Sequence, residues 1–396
     1  MSVLKEDIYL VAAVRTPIGK FGGGLASVSA AALGTESAKA TLERSGVDPM
    51  AVDELIFGNA RQAGVGPNVA RQIAFRSGLR VETPAYTVNQ ACGSGLRAIM
   101  NGADQIRLGN ANVVLAGGVE SMSNTPHLLP RARWGFRMGD EELVDGMYRD
   151  GFLCPLADEL MGATAERLAD RYGITREEQD RFAVESQAKA ARAWEEKRFQ
   201  GELVPVSVTT RKGTEVIAHD EHPRFDTDLS SLAKLPPVFR KDGTVHAGNS
   251  SGITDGASSM LVASGDAVKK ERLTPMARIV GYAQAGVDPK VMGLGPVPAT
   301  ARLLAETGLS MSDLDLVELN EAFAAQVIAC DREMHLDPAK LNVNGGSIAL
   351  GHPIGCTGAR ITTTLLHAMQ SRRARLGLAT LCISGGMGIS MILERA

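Results

Sequence analysis

Cysteine is scarce and unpatterned in this chain: five residues among 396, an odd number with no Cys-x-x-Cys pair. That excludes a disulfide-stapled scaffold and argues against a zinc ribbon or a thioredoxin-like redox site, so no metal is expected. A reducing compartment is implied, and the cytoplasm is the expected location. Charge of one sign is missing as well. Forty-two Lys and Arg stand against 45 Asp and Glu, a net charge of −3. This supplies no electrostatic footprint for nucleic acid or an anionic membrane. Long apolar runs are also lacking at the N-terminus. Within Met1–Gly19 the one run, Ile8–Val14, is flanked by Asp7 and Arg15, too short to span a bilayer, and followed by no small-residue cleavage site. The C-terminal Leu393-Glu394-Arg395-Ala396 carries no receptor-read address. Neither membrane insertion nor a nucleic-acid partner is expected.

What is present is an ordinary globular composition, 44% hydrophobic and 22% charged, over a length that suggests two to three domains. The 43 glycines gather in short clusters between apolar runs, a sign of tight turns. Strand-like runs Ile8–Val14, Glu54–Phe57, Ala85–Val88 and Val113–Ala116 alternate with helical patterns at Leu33–Ser45, Val69–Gly78 and from Cys92 to Leu108. This alternation predicts a mostly parallel sheet covered on both faces by helices. The grammar returns near the end, with strands at Leu314–Glu318 and Leu378–Ile383 and a helix at Gly358–Met369. Val113-Val114-Leu115-Ala116-Gly117-Gly118 and Thr380-Leu381-Cys382-Ile383-Ser384-Gly385-Gly386 each end a strand on a glycine pair, which points to an internal duplication. The middle, Ser121–Asn249, differs. It has charged helical stretches at Met161–Tyr172 and Arg176–Arg198, the second opened by the capping box Thr175/Glu178. The charges of that second helix, Asp180 among them, are expected on a solvated face.

Three loops hold residues suited to nucleophilic chemistry. Ala91-Cys92-Gly93-Ser94-Gly95 places a thiol at a helix start, where unpaired N–H groups and the macrodipole favour thiolate. Gly93 and Gly95 would let a ligand approach and keep the thiol uncrowded. Gly351-His352-Pro353-Ile354-Gly355 restrains an imidazole between a proline and glycines. Cys382 ends an apolar strand, where α/β folds commonly carry function. Each residue alone has a commoner structural explanation, and Cys154, Cys330 and Cys356 lack a comparable setting.

Taken together, Asn89-Gln90-Ala91-Cys92-Gly93-Ser94-Gly95, Asn320-Glu321-Ala322-Phe323, Asn344-Gly345-Gly346, the His352 loop and Cys382–Gly388 resemble the thiolase family across almost the whole chain. Arg15-Thr16-Pro17-Ile18-Gly19 and Ala247–Gly252 match it too. The resemblance implies an α/β fold of two duplicated halves with mixed sheets, layered α-β-α-β-α, plus an inserted loop domain. Residues 1–120, completed by 250–274, would form one half, 121–249 the CoA-binding insertion, and 275–396 the other half. It implies acyl transfer on coenzyme A thioesters with acyl-CoA as substrate and no tightly bound cofactor. Cys92 would be acylated, His352 would take its proton, and Cys382 would act as base or acid at the α-carbon. Asn320, through a water, and His352 would stabilise the carbanion. The backbone N–H groups of Cys92 and Ser384 would stabilise the tetrahedral intermediate. Ser384 stands where the family usually has glycine, so its side chain is expected to restrict φ and narrow the site.

By the same resemblance Arg224 and Ser251 would contact CoA, and Phe239, Met161, Met292 and Phe323 would line the apolar channel. Arg131, Arg133 and Arg137 around Trp134 form a basic loop, usually only a solvated surface, that could meet a CoA phosphate across a subunit interface. Leu160 replaces the histidine typical of acetoacetyl-CoA-forming members, which favours medium or longer 3-ketoacyl chains, while the rest of the middle region resembles the short-chain branch. Acetyl-CoA C-acetyl transfer is the favoured activity, with a longer-chain 3-ketoacyl-CoA thiolase and a non-catalytic acyl-CoA-binding relative as alternatives. Cys382 speaks against a decarboxylating ketoacyl synthase. A homodimer or homotetramer is implied.

Overall fold

The computed structural model of the chain describes residues 7–211 and 213–396. The first six residues of the Met1–Gly19 segment lie outside them. Nine strands form the path of one hydrogen-bonded sheet: β1 (Ile8–Arg15), β2 (Glu54–Gly58), β3 (Ala85–Val88), β4 (Val113–Ser121), β5 (Thr254–Ser264), β6 (Pro275–Gly286), β7 (Leu316–Leu319), β8 (Leu376–Ile383) and β9 (Met387–Arg395). Their order is β7-β8-β9-β6-β1-β5-β4-β2-β3, with the short strand Gly19–Lys20 beside β5.

The sheet is mixed, which corrects the mostly parallel expectation. Three neighbouring pairs are parallel (β2/β3, β2/β4, β7/β8) and five antiparallel. The reason lies in the connections. Strands β8 and β9 turn back on each other through Ser384-Gly385-Gly386, with Ile383 paired to Met387. Parallel neighbours need a long crossover that such a turn cannot supply. Strand β4 also runs on through Gly117 and Gly118 to Ser121 rather than stopping there. A Cβ on Gly118 would lie 2.3 Å from the Gly355 carbonyl oxygen, so this glycine marks close packing and not a turn.

Both halves repeat one pattern. Reading β1-β5-β4-β2-β3, the pairings run antiparallel, antiparallel, parallel, parallel. Reading β6-β9-β8-β7 and the parallel bridge Val317–Leu341, they run the same way. Helices α1 (Ala30–Ser45) and α2 (Val69–Arg76) cover the outside of the first half through Leu33, Leu42 and Ile73 against Phe57 and Leu115. Helix α3 (Ser94–Arg107) is buried between the halves together with a long helix, Ile354–Arg372. There Leu96, Ile99, Ile361 and Leu365 touch strands of both. On the far side, Pro296–Thr307 and Ala324–Met334 pack Leu303 and Val327 on Val317 and Leu378. Burying each such side chain stabilises by roughly 1.5–3 kcal/mol.

The stretch between β4 and β5 holds α4 (Met161–Tyr172) and α5 (Arg176–Glu195), whose Thr175/Glu178 capping box forms as expected. The longest of the remaining helices, in chain order, are α6 (Pro296–Thr307), α7 (Ala324–Met334) and α8 (Ile354–Arg372). Asp180 corrects the solvated-face reading of α5. It is buried and accepts from Asn249 Nδ2 at 3.0 Å, with His246 Nε2 at 2.7 Å. Arg15 at the end of β1 ties this stretch to the sheet, pairing with Glu202 at 2.5 Å and Asp220 at 2.7 Å. No described helix is long and apolar enough to cross a membrane.

Candidate active site

The turn that presents Cys92 is built by its neighbours' side chains. Asn89 Oδ1 accepts from the Ala91 N–H, Ser94 Oγ accepts from the Gln90 N–H, and Ser94 Oγ donates to the Ala91 carbonyl. They hold Ala91 at φ 45°, a left-handed conformation uncommon for a residue with a Cβ. Helix α3 starts only at Ser94, with Gly93 as its N-cap. The expected thiolate is therefore corrected. Burial pushes the Cys92 thiol up, and the lowering effects of the Ser384 and Cys92 N–H groups and of Arg61 do not overcome it.

Close backbone approach brings the other two loops to this turn. A Cβ on Gly358 would lie 2.3 Å from the Leu96 nitrogen, and one on Gly95 2.7 Å from the Ala359 nitrogen. The N-terminal ends of α3 and α8 thus touch, backbone against backbone. Gly95 serves this crossing rather than ligand access, and Gly93 makes room for Ile383 of β8. Just before α8, the His352 N–H donates to the Gly252 carbonyl and Nδ1 lies 2.6 Å from Thr357 Oγ1. The Thr357 hydroxyl gives its proton to the Pro353 carbonyl, so it accepts from Nδ1–H and leaves Nε2 with its lone pair. Burial, Arg360 and Arg61 push the His352 pKa down to about 3, so the ring is neutral. Cys382, near the end of β8, is pushed well up, mainly by burial and next by Cys92 beside it. Ser384 needs no left-handed backbone. The positive φ values, 87° and 85°, fall on Gly385 and Gly386, which corrects the expected restriction.

Cys92, His352, Cys382 and Ser384 all line one cavity of about 800 Å³. Arg224, Ser251, Phe239, Met161, Met292, Phe323 and Leu160 share its wall. Phe239 and Phe323 meet edge to face at 6.1 Å. Ser251 is set by its N–H donating to the Ala322 carbonyl. Asn320 is buried and not part of that wall. Its Oδ1 accepts from Ser347 Oγ at 2.6 Å, Ser347 Oγ accepts from Arg360 at 2.7 Å, and Asn320 Nδ2 has no partner among the described residues.

Within a single chain the basic loop stands outside this constellation. Arg131 pairs with Glu141, Trp134 is 87% exposed, and none of Arg131, Arg133 or Arg137 lines the cavity. Conversely, Arg61, His222 and Tyr148 line it and escaped the sequence reading. Arg61 had a usable signal, a basic residue just past the end of strand β2, where α/β folds gather function. His222 and Tyr148, in irregular segments, had none.

Comparison with known proteins agrees with this architecture. The thiolase N-terminal domain model matches residues 8–266 and the thiolase C-terminal domain model residues 273–395. An acetyl-CoA acetyltransferase of Escherichia coli (strain K12) is 52% identical over 391 residues, covering 98% of this chain and 99% of the relative. The crystal structure of the Bacillus anthracis acetyl-CoA acetyltransferase superposes with a TM-score of 0.97 at 44% identity, covering 100% of both chains. Human mitochondrial 3-ketoacyl-CoA thiolase in complex with CoA gives 0.96 at 44% identity, covering 100% of this chain and 99% of that one. The chain belongs to the thiolase family, whose two domain models account for nearly all of it.

Proposed function

We propose that the protein is a CoA-dependent acyltransferase that cleaves or forms 3-ketoacyl-CoA through an acyl-cysteine, with acetyl-CoA C-acetyl transfer as its main reaction. The observation that carries this reading is the meeting of Cys92, His352 and Cys382 on one cavity wall. The identity to acetyl-CoA acetyltransferases supports the choice of acetyl. In thiolysis, the neutral Nε2 of His352 takes the Cys92 proton as Sγ attacks the 3-keto carbon. The N–H groups of Cys92 and Ser384, both directed at the Cys92 sulfur, serve the developing oxyanion. The C2–C3 bond breaks, and Cys382 protonates the departing acetyl-CoA carbanion. His352 and a water on Asn320 Nδ2 hold the charge on that carbanion's oxygen. CoA then takes the acyl group from Cys92. Its pantetheine arm and phosphates run past Ser251 and Arg224, along the Phe239–Phe323 pair.

The domain division follows the same reading: 1–120 with 250–274, 275–396, and a CoA-binding insertion at 121–249 that carries Arg224 and Phe239. Dimers or tetramers fit the unpaired edge of β3, beside which Phe75 and Val81 stand exposed. Five free cysteines suit a cytoplasmic location. Mass spectrometry after incubation with acetyl-CoA tests the proposal. An acetyl adduct on Cys92, absent in Cys92→Ala, is expected; an adduct that persists in Cys92→Ala refutes the assignment. CoA binding without any adduct would support a non-catalytic acyl-CoA binder instead. Leu160 on the cavity wall favours a second reading, a thiolase of medium or longer chains. A kcat/KM series over chain length decides it, low activity on the four-carbon substrate supporting the second.

A further inference from the structure

Arg61 is 7% exposed, yet it lines the cavity. Among the described residues its side chain makes one hydrogen bond, from Nη1 to the Asp150 carbonyl at 3.0 Å, and Nε has no partner. No carboxylate of the described residues lies within the 4.0 Å of an ion pair. Glu120, the acid that feels its charge, has both oxygens occupied by the Asn59, Ala60, Arg61 and Gly355 N–H donors. Asp150 also lines the cavity, but its carboxylate pairs with Arg149 at 3.2 Å. Gly151 covers the guanidinium so closely that a Cβ there would lie 2.3 Å from Nη2. Buried donors left unpaired are costly, and Glu120, the acid that feels Arg61, is already engaged by N–H donors; a planar fork of donors at a cavity wall matches a carboxylate.

The position of Arg61 says which end of a substrate it meets. The apolar groups at the site form two clusters. Met161, Met292 and Phe323 surround Cys382. Ala60, Met147, Phe152 and Ile354 surround Cys92, and Arg61 follows Ala60 directly in the chain. An acyl group carried on Cys92 therefore extends its tail toward the second cluster, away from Arg224 and Phe239.

We propose that Arg61 is the receptor for the far end of the acyl chain, and that the site takes 3-oxoacyl-CoA thioesters ending in a carboxylate. This rests on the acyl-Cys92 chemistry proposed above. Cys92 Sγ bonds to C3, the C2–C3 bond breaks, the released acetyl-CoA carbanion takes a proton, and CoA thiolate then displaces the carboxyl-ended acyl group from Cys92. A polar receptor of this kind rejects an analogue that lacks the matching group, because its own donors are left unpaired.

The test compares thiolysis of a six-carbon 3-oxoacyl-CoA ending in carboxylate with its methyl-ended counterpart, in the full chain and in Arg61→Met and Arg61→Lys. The readout is the ratio of the two kcat/KM values within each variant, so a general loss of activity cancels. Wild type is expected to favour the carboxylate by roughly 10-fold or more, Arg61→Met to reverse the preference, and Arg61→Lys to keep part of it. A wild-type preference for the methyl end, or the same ratio in Arg61→Met, overturns the proposal. Because wild type alone decides the first outcome, a variant that fails to fold does not remove the test. Failure of the underlying reading looks different: no acetyl adduct on Cys92 and no turnover of either thioester.

Discussion

His352 carries no proton at neutral pH, because burial and the charges of Arg360 and Arg61 push its pKa down to about 3. With Thr357 taking Nδ1–H, the ring is ready to accept a proton at Nε2 without first losing one. The rate of Cys92 acylation is therefore expected to show no acid limb near the ordinary imidazole value of 6.5. Single-turnover acylation measured from about pH 5.5 to about pH 7.5 checks this, and a limb centred in that window would contradict it. A second expectation concerns Ser347, which passes the pull of Arg360 to the Asn320 amide. Ser347→Ala should slow carbanion formation, read as α-proton exchange of acetyl-CoA, by roughly 10-fold, while acylation of Cys92 changes little. Ser347→Thr should restore the exchange. Equal losses in both half-reactions would reduce Ser347 to a packing role.

At the scale of elements, the Gly95–Gly358 crossing brings the N-terminal ends of α3 and α8 together, next to the Cys92 and His352 loops. Gly358→Ala should destabilise by roughly 1–3 kcal/mol through overpacking against Leu96. It should also cost about 10²-fold in acylation, since reacting groups shifted by about 1 Å lose much of their advantage. Chemical denaturation and single-turnover kinetics measure the two effects, and a stable variant with unaltered acylation would disprove the coupling. Much at this scale was legible. Strand β3 falls at Ala85–Val88 as read, and α4 at Met161–Tyr172. What escaped was direction. Strand β5 begins Thr254-Asp255-Gly256-Ala257-Ser258-Ser259, small and polar residues that read as loop although they are buried. Without β5, β6 and β9 the alternation looks parallel. Cys92, His352 and Cys382 were legible because motif and glycine setting coincide. Arg61 went unread although its place just past the end of β2 was a usable signal; what only folding reveals is its burial.

At the scale of the whole molecule, ionisable groups with almost no access to water tie the stretch between β4 and β5 to the sheet and hold α8 against β7. Arg15 joins the sheet to Glu202 and Asp220, and Arg360 faces Glu318 at 3.8 Å. Burial drives the Glu318 carboxyl up to about 8, with Arg360 pulling it back. A carboxyl whose pKa is raised on folding stabilises most below its unfolded value of 4.5, and that contribution is lost as pH rises through about 8. Glu318→Gln should therefore flatten the alkaline fall in thermal stability. Melting curves from about pH 5 to about pH 9 test this, and parallel profiles for wild type and variant would count against it.

The burial of α3 and α8 on both sides has a further consequence. Amides deep in these two helices can exchange with solvent only when much of the molecule opens, so hydrogen exchange should rank them among the slowest. The chemistry is then anchored to the most persistent structure, and adaptation to a new acyl group falls to the loops that roof the cavity.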